Sequence, residues 1–307
     1  MTDGRGPGPD GRTSVVVVTM DRRHELLATV AHLADLPERP AVIVVDNGSA
    51  DGSADAVRAA HPEVDVVELP HNLGAPARDV GVARAVTPYV AFADDDSWWS
   101  PGSLARAADV LDAHPSVGLV AARMLVGSEE HLDPVSAEMA ASAVPLPGRV
   151  PGHGVVGFLS CGAVVRRSAF LEVGGFDDLL FFLGEEALLA YDLLAAGWAL
   201  TYLDDVVAHH HPSPARDLHA REVRQLRNEL LFQVMRRPAA TAAAAVCRTV
   251  LSSPVDAVAR GALLDALPRL PRALGRRRRP AQSVERQLAL VTRVEARSSR
   301  HRFRHAS

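Results

Sequence analysis

Four short apolar runs, each followed by a stretch with helical spacing, restrict the fold more than any other feature of the chain. The runs are 14–19 (SVVVVT), 41–46 (AVIVVD), 64–69 (VDVVEL) and 89–93 (YVAFA). Short runs rich in β-branched residues suit strands buried on both faces. Between the first two, residues 22–35 place Leu26, Leu27, Val30 and Leu33 on one helical face. Residues 51–61 read as a second helix, capped by Ser49 or Asp51, and 75–85 as a third. Strands alternating with helices in this way predict a parallel, doubly wound α/β sheet.

The alternation continues less regularly. Residues 101–113 read as a helix, 117–126 and 158–166 as strands, 185–196 as a helix and 198–202 as a strand. Residues 217–237 form an amphipathic helix, and a last helix lies near 284–293. Residues 127–157, rich in Pro, Gly, Ala and Ser, read as a long excursion with a short helix at 135–143; loops of this length are often functional. The polar ends, 1–13 and 297–307, are expected to be disordered.

With 307 residues and 48% hydrophobic content, the chain can build one large domain or one domain with a tail. Its net charge of -4 hides an asymmetry. From Ser213 onward there are twenty arginines against seven acids, so an acidic body carries a basic last third. All of the basic charge is arginine. Such a segment is expected to meet something anionic: phospholipid, a lipid pyrophosphate or nucleic acid. Nucleic acid fits poorly, because aromatic residues are not interleaved with the arginines. The two cysteines, Cys161 and Cys247, make neither a disulfide framework nor a CxxC metal motif. No secretory leader pattern opens the chain, and no apolar run reaches the roughly 20 residues that span a bilayer. The expected location is cytoplasmic.

In open α/β sheets ligands bind beyond the carboxyl ends of the strands. The four runs end in Thr19-Met20-Asp21-Arg22, in Asp46-Asn47-Gly48-Ser49, before Asn72-Leu73-Gly74, and in Asp94-Asp95-Asp96. Three successive carboxylates repel one another, and a divalent cation relieves that repulsion. The alternative is a solvated acidic turn ahead of the next helix. Neither GxGxxG after the first strand nor GxxxxGK[ST] anywhere is present, which argues against dinucleotide-binding and P-loop folds.

The segments VVVVTMDRR, VVDNGSADGS, HNLGAPARDVGVARA and VAFADDDSWW resemble, in order and spacing, those of family 2 glycosyltransferases, which have the GT-A fold. SCGAVVRRSAFLEVGGFDD and FLGEEALLAYDLLAAGW resemble the acceptor-side segments of the same family. The resemblance runs from about Ser14 to His211. It implies a GT-A nucleotide-sugar-binding and catalytic domain over 14–212, followed by a basic, mostly helical extension over 213–307. The implied activity is inverting transfer of a sugar from a nucleotide-diphosphate donor to an acceptor hydroxyl, on a glycan or a lipid-linked acceptor. Synthesis of cell-envelope polysaccharide, glycolipid or glycoconjugate would be the setting.

The same resemblance assigns roles. Asp46 contacts base or ribose; Thr19 lines the base pocket or is a strand-end hydroxyl; Arg22 binds the donor; Arg78 lies near the donor or forms a surface ion pair. Asp94 and Asp96 map onto the DxD element, with Asp94 and Asp95 toward the donor and Asp94 and Asp96 toward Mg²⁺ or Mn²⁺, although Asp95 is alternatively a cap for the next helix. Trp98 and Trp99 cover a sugar or pack in the core. Glu185-Glu186 occupies the place of a Glu-Asp pair, with Glu186 favoured as the general base. His209 and His211 share one side of an extended chain, as metal ligands or as a solvated cluster. The sequence departs from the family at Asp79, where Asn is frequent, and at Glu186, where Asp is usual. The basic helix after the domain either packs on it or lies on an anionic membrane surface. Two other classes compete: a nucleotidyltransferase, which needs a glycine-rich loop that Asp21-Arg22-Arg23 lacks, and a non-catalytic nucleotide-sugar-binding scaffold.

Overall fold

The computed structural model describes residues 10–212 and 218–291. The disorder expected of 1–9 and of 297–307 lies outside the described residues. Residues 10–13 do not follow that expectation: Thr13 already belongs to the first strand, and Arg12 pairs with Asp10, Asp109 and Asp112.

The first half is the parallel sheet read from the sequence. Strands β1 (Thr13–Thr19), β2 (Ala41–Asp46), β3 (Asp65–Glu68) and β4 (Tyr89–Asp94) lie in the order β3-β2-β1-β4, all parallel. Helices α1 (Arg23–Ala34), α2 (Ser53–Ala60) and α3 (Ala77–Arg84) connect them. Neither cap candidate for α2 is its N-cap, which is Gly52; Asp51, one residue earlier, accepts from the Ser53 N–H at 3.0 Å. Alternation along β1 divides the core in two. Val15 and Val17 face the layer that holds Leu26, Val30, Leu33 and the helix α4 (Ser103–Ala113). Val16 faces the opposite layer, with Ile43, Val45, Val90 and Phe92.

Beyond β4 the sheet becomes mixed. Its further strands are β5 (Ser97–Trp99), β6 (Val117–Val126), β7 (His131–Leu132), β8 (His153–Gly154), β9 (Ala163–Arg166) and β10 (Ala199–His210). The order continues β4-β9-β6-β10-β5, with β9 antiparallel to both neighbours and β6 parallel to β10. Three readings change here. The strand expected over 158–166 is shortened, because Ser160–Gly162 forms a 3-10 turn that seats Gly162 against Met124; an added Cβ would lie 2.7 Å from that side chain. The strand expected over 198–202 instead runs to His210 along the ten-residue β6, its parallel pairing interrupted by a shift of register between Leu203 and Val207. The tryptophan pair, not read as a strand, forms β5 against residues 208–210. The excursion over 127–157 contains β7, β8 and the helix α5 (Pro134–Ala140), which Asp133 caps through the Val135 N–H at 2.7 Å.

The helices α6 (Arg167–Val173) and α7 (Glu185–Ala195) cover the face that carries Val16. They are followed by α8 (Leu218–Arg236), α9 (Ala239–Ser252), α10 (Ala257–Ala266) and α11 (Leu270–Gly275), and residues 282–291 are also helical. The C-terminal helices share the core of the sheet: Leu231, Phe232 and Met235 of α8, with Ala273 and Val284, join Phe92 and Leu119. Some of their arginines are matched to acids of the body. Arg236 grips Asp192 through two bonds of 2.6 and 2.8 Å, Arg272 reaches Asp178 at 2.9 Å, and Arg276 reaches both Asp177 and Asp178. Among the described residues no helix is long and apolar enough to cross a membrane.

Candidate functional site

The carboxyl ends of β1 and β4 open into a cavity of about 570 Å³. Of the site residues expected from the sequence, it gathers Thr19, Arg22, Arg78, Asp94, Asp95 and Asp96 on its wall. Each of the three aspartates has a different partner. Asp94 receives the Arg78 guanidinium. Asp95 accepts from the Thr19 hydroxyl at 3.0 Å and meets Arg22 at 3.1 Å, and its backbone carbonyl accepts from Thr29 at 2.8 Å. Asp96 meets Arg22 at 2.9 Å and His210 Nε2 at 3.3 Å. Two arginines therefore balance three buried or half-buried acids, which is how the Asp run tolerates its own repulsion here. Burial pushes the Asp95 carboxyl up to about 7, against the opposing pull of Arg22. Burial also works against the Asp96 charge, but His210 and Arg22 outweigh it and hold that carboxyl below its usual range.

Several expected residues are not on the wall. Asp46 is buried and its Oδ1 accepts from the Ser49 N–H at 2.7 Å, so its carboxylate closes the turn after β2. The neighbouring Asn47 lines the cavity and joins Asn72 at 2.9 Å. The histidine reading is corrected in register. His209 and His211 do share a side, but it is the side of Trp98, on which His209 stacks at 5.5 Å and His211 packs edge-on at 4.7 Å. His210, between them, faces Asp96 and the cavity. The reason is β5, whose register sets His209 opposite Trp98 and His210 opposite Ser97. Trp98 is sandwiched between His209 and His32, the latter at 4.3 Å, and neither tryptophan lines the cavity. Trp99 is a core residue, its Nε1 donating to the Phe92 carbonyl at 3.2 Å.

The Glu185-Glu186 pair opens α7 behind Arg78. The turn before it is unusual: Phe181 and Leu183 have φ of 65° and 73°, a left-handed conformation that disfavours side chains. Buried side chains of α8 hold it there. Asn228 donates to the carbonyls of Leu180 at 2.8 Å, Phe182 at 2.9 Å and Leu183 at 2.5 Å, and Arg227 donates to Leu180 at 3.0 Å. The Phe181 carbonyl accepts from the Ala75 N–H at 2.6 Å, and Gly74 lies so close that an added Cβ would meet that carbonyl at 2.2 Å. The two glutamates then part company. Glu185 is 2% exposed and its Oε2 has no hydrogen-bond partner among the described residues; burial first, and then Glu186, push its carboxyl well above the usual range. Glu186 is less buried and accepts from the Ser160 hydroxyl at 3.0 Å. Arg78 is buried and its charge is opposed by desolvation, with Asp94, Glu185 and Glu186 as the counter-charges that hold it.

Asp79, beside Arg78, carries a testable signature. Its Oδ1 accepts from the Phe176 N–H at 3.1 Å, and burial raises its carboxyl to about 7. The folded state then binds the Asp79 proton more tightly than the unfolded state. The stability this contributes is complete below about pH 4 and is lost as pH rises through about 7. Asp79→Asn keeps an acceptor for Phe176 and removes the titration. It is expected to match the wild type near pH 4 and to exceed it by roughly 3–4 kcal/mol at pH 8. Denaturant melts at the two pH values check this, and a gap independent of pH would refute it.

Residues missed in the sequence complete the wall. His210, Asn47 and Asn72 lie within motifs that were noticed, and their orientation was the missing information. Phe181, Phe182, Arg221 and Arg224 also line the cavity. The two arginines stand one turn apart on α8, far from the sheet in sequence, and only their i, i+3 spacing marked them as sharing a face.

A mixed, mostly parallel sheet with acids and arginines gathered beyond its strand ends defines an α/β protein of the GT-A type. The family model described as glycosyl transferase family 2 matches residues 14–174. The chain belongs to that family. It is 36% identical over 228 residues to the pre-mycofactocin glycosyltransferase of Mycobacterium tuberculosis, a match covering 70% of this chain and 46% of that protein. The chain thus spans less than half the length of that relative. It is 30% identical over 231 residues to the N-acetylglucosaminyl-diphospho-decaprenol L-rhamnosyltransferase of the same species, covering 64% and 75% of the two chains. Among solved structures it resembles the mannosyltransferase PcManGT of Pyrobaculum calidifontis in complex with GDP-Man and Mn²⁺, with a TM-score of 0.56 at 21% identity over 96% of this chain and 82% of that one.

Proposed function

We propose that this chain transfers a glycosyl group, with inversion, from a nucleoside-diphosphate sugar to the hydroxyl of a glycan or lipid-linked acceptor. The observation that carries the reading is the wall itself: Asp94, Asp95 and Asp96 matched by Arg22 and Arg78, with the Glu185-Glu186 pair behind Arg78. Glu186 is the general base. It takes the proton of the acceptor hydroxyl as that oxygen attacks the anomeric carbon and the bond to the diphosphate breaks. Ser160 orients Glu186.

The donor set suits a divalent cation at Asp96 and His210. Their facing atoms are 3.3 Å apart, close to the roughly 3 Å between adjacent ligands of a small octahedral cation. Among the described residues no three His, Cys, Asp or Glu side chains are gathered as a complete metal cage, so phosphate oxygens of the donor and water would supply the rest. When bound, the cation neutralises charge on the departing diphosphate. The Mn²⁺ in the PcManGT complex supports this assignment. The acceptor of the rhamnosyltransferase relative supports a lipid-linked acceptor, for which contact of the remaining C-terminal arginines with anionic lipid would bring the chain to its substrate.

Thermal unfolding with a panel of nucleoside diphosphates and nucleotide sugars, with and without Mn²⁺, tests the reading. A ligand near 100 times its Kd is expected to raise the midpoint of a domain this size by about 5 °C, through about 2.7 kcal/mol of linkage. The shift should require metal and vanish in Asp96→Ala. No shift with any nucleotide under either condition would remove the reading.

A further inference from the structure

The four arginines on the cavity wall are not equivalent. Arg22 is matched to Asp95 and Asp96, and Arg78 to Asp94. Arg224 is partly buried on the same wall, and among the described residues it makes no ion pair or hydrogen bond. A partly desolvated cation facing a cleft without a counter-charge is unfavourable until an anion arrives. One turn earlier on the same face, Arg221 lies over the Phe182 ring at 5.7 Å, and both residues line the cavity. The helix that carries the pair is anchored one turn further on, where Arg227 and Asn228 are buried and bonded to the carbonyls of the 180–183 turn. The arginine fork is therefore presented from a fixed support, into a cavity where Arg22 and Arg78 are already matched to carboxylates.

We propose that Arg224, with Arg221 beside it, is a diphosphate-binding seat contributed by the C-terminal extension. A guanidinium fork binds phosphate oxygens in pairs, so the chemistry recognised is a diphosphate ester. The diphosphate belongs either to the nucleotide donor or to a lipid-diphosphate acceptor. The inference rests on the cavity being the nucleotide-sugar site, and the experiment separates the two.

Calorimetric titration of the full chain with Mn²⁺ present, using UDP, GDP, UMP, GMP and farnesyl diphosphate, provides the test on wild type, Arg224→Gln, Arg224→Lys and Arg224→Glu. Loss of one charge-assisted contact is expected to weaken diphosphate binding roughly 10- to 100-fold in Arg224→Gln. Monophosphate binding should change much less, Arg224→Lys should recover part of the loss, and Arg224→Glu should lose more. Thermal midpoints of the free variants should stay near wild type, because Arg224 has no internal partner to lose. Weakened nucleoside diphosphate binding identifies the donor as the source. Weakened farnesyl diphosphate binding with unchanged nucleotide binding identifies the acceptor. If Arg224→Gln and Arg224→Glu bind every diphosphate within twofold of wild type while Asp96→Ala loses nucleotide, the seat is wrong and the donor site stands. If wild type binds no nucleotide, the donor reading falls and farnesyl diphosphate alone decides the seat; binding of neither overturns both.

Discussion

Glu186→Gln is expected to bind nucleotide sugar as wild type does and to lose roughly 10²- to 10⁴-fold in turnover, the range for removing a positioned general base. Glutamine keeps the shape of the side chain and an acceptor for the Ser160 hydroxyl, so the α7 turn should hold its form. What disappears is the basic oxygen. Glu185→Gln is the informative comparison. Glu185 is buried, and burial and the neighbouring Glu186 push its carboxyl up and so favour its neutral form, which glutamine resembles. Its turnover should stay within about tenfold of wild type, since a lost uncharged contact is worth about 1 kcal/mol. Steady-state turnover with the donor identified by the melting panel, alongside donor affinity, checks both. Equal losses in the two variants would assign the base to the pair as a unit, and full activity in Glu186→Gln would exclude it.

The second large effect is on stability. Arg78→Met is expected to destabilise the fold by about 3–5 kcal/mol, the range for removing one partner of a buried ion pair. The side chain of Arg78 is 5% exposed and that of Asp94 32%, and Glu185 lies behind them. Methionine replaces the stem and removes the cation, which leaves the carboxylates of the site without their nearest counter-charge. Because both ends of the cluster lose that charge, donor binding should fail along with stability. Arg78→Lys restores a charge but not the fork, and should recover stability only in part. Chemical denaturation of the three chains measures the cost. A loss below about 1 kcal/mol, the size expected of a surface pair, would place Arg78 outside the electrostatic centre of the site.

The legibility of the site follows from how local each signal is. The Asp94–Asp96 run and the motifs ending β1 and β2 were readable because a strand end delivers its next residues to the sheet edge whatever else the chain does. Which acid receives which cation was not readable. Arg22 lies 74 residues from Asp96, and Glu186 lies 26 residues from the hydroxyl that orients it. Alternation correctly put His209 and His211 on one side, but only the pairing of β10 with β5 decided that this side was Trp98 and that His210 faced the cavity. Asp46 was placed correctly at the end of β2, but that one of its oxygens closes its own turn was not readable.

Charge shows the same division. The surplus of arginine after Ser213 pointed outward, to an anionic partner. The fold turns part of it inward: Asp177, Asp178 and Asp192 of the body receive Arg236, Arg272 and Arg276, and α8 buries Arg227 and Asn228 under the turn that precedes Glu185. The extension thereby supports the site, and it presents Arg221 and Arg224 to the cavity.

By itself, the sequence determined the α/β class, the crossovers of the first four strands and the edge at which polar groups collect. Those properties follow from periodicity and from strand ends, which act over a few residues. Only the tertiary structure decided the reversed strand β9, the histidine register, the different burial of Glu185 and Glu186, and the cations on α8. Each of these depends on burial and on partners tens of residues away, and a buried charge takes its role from what surrounds it.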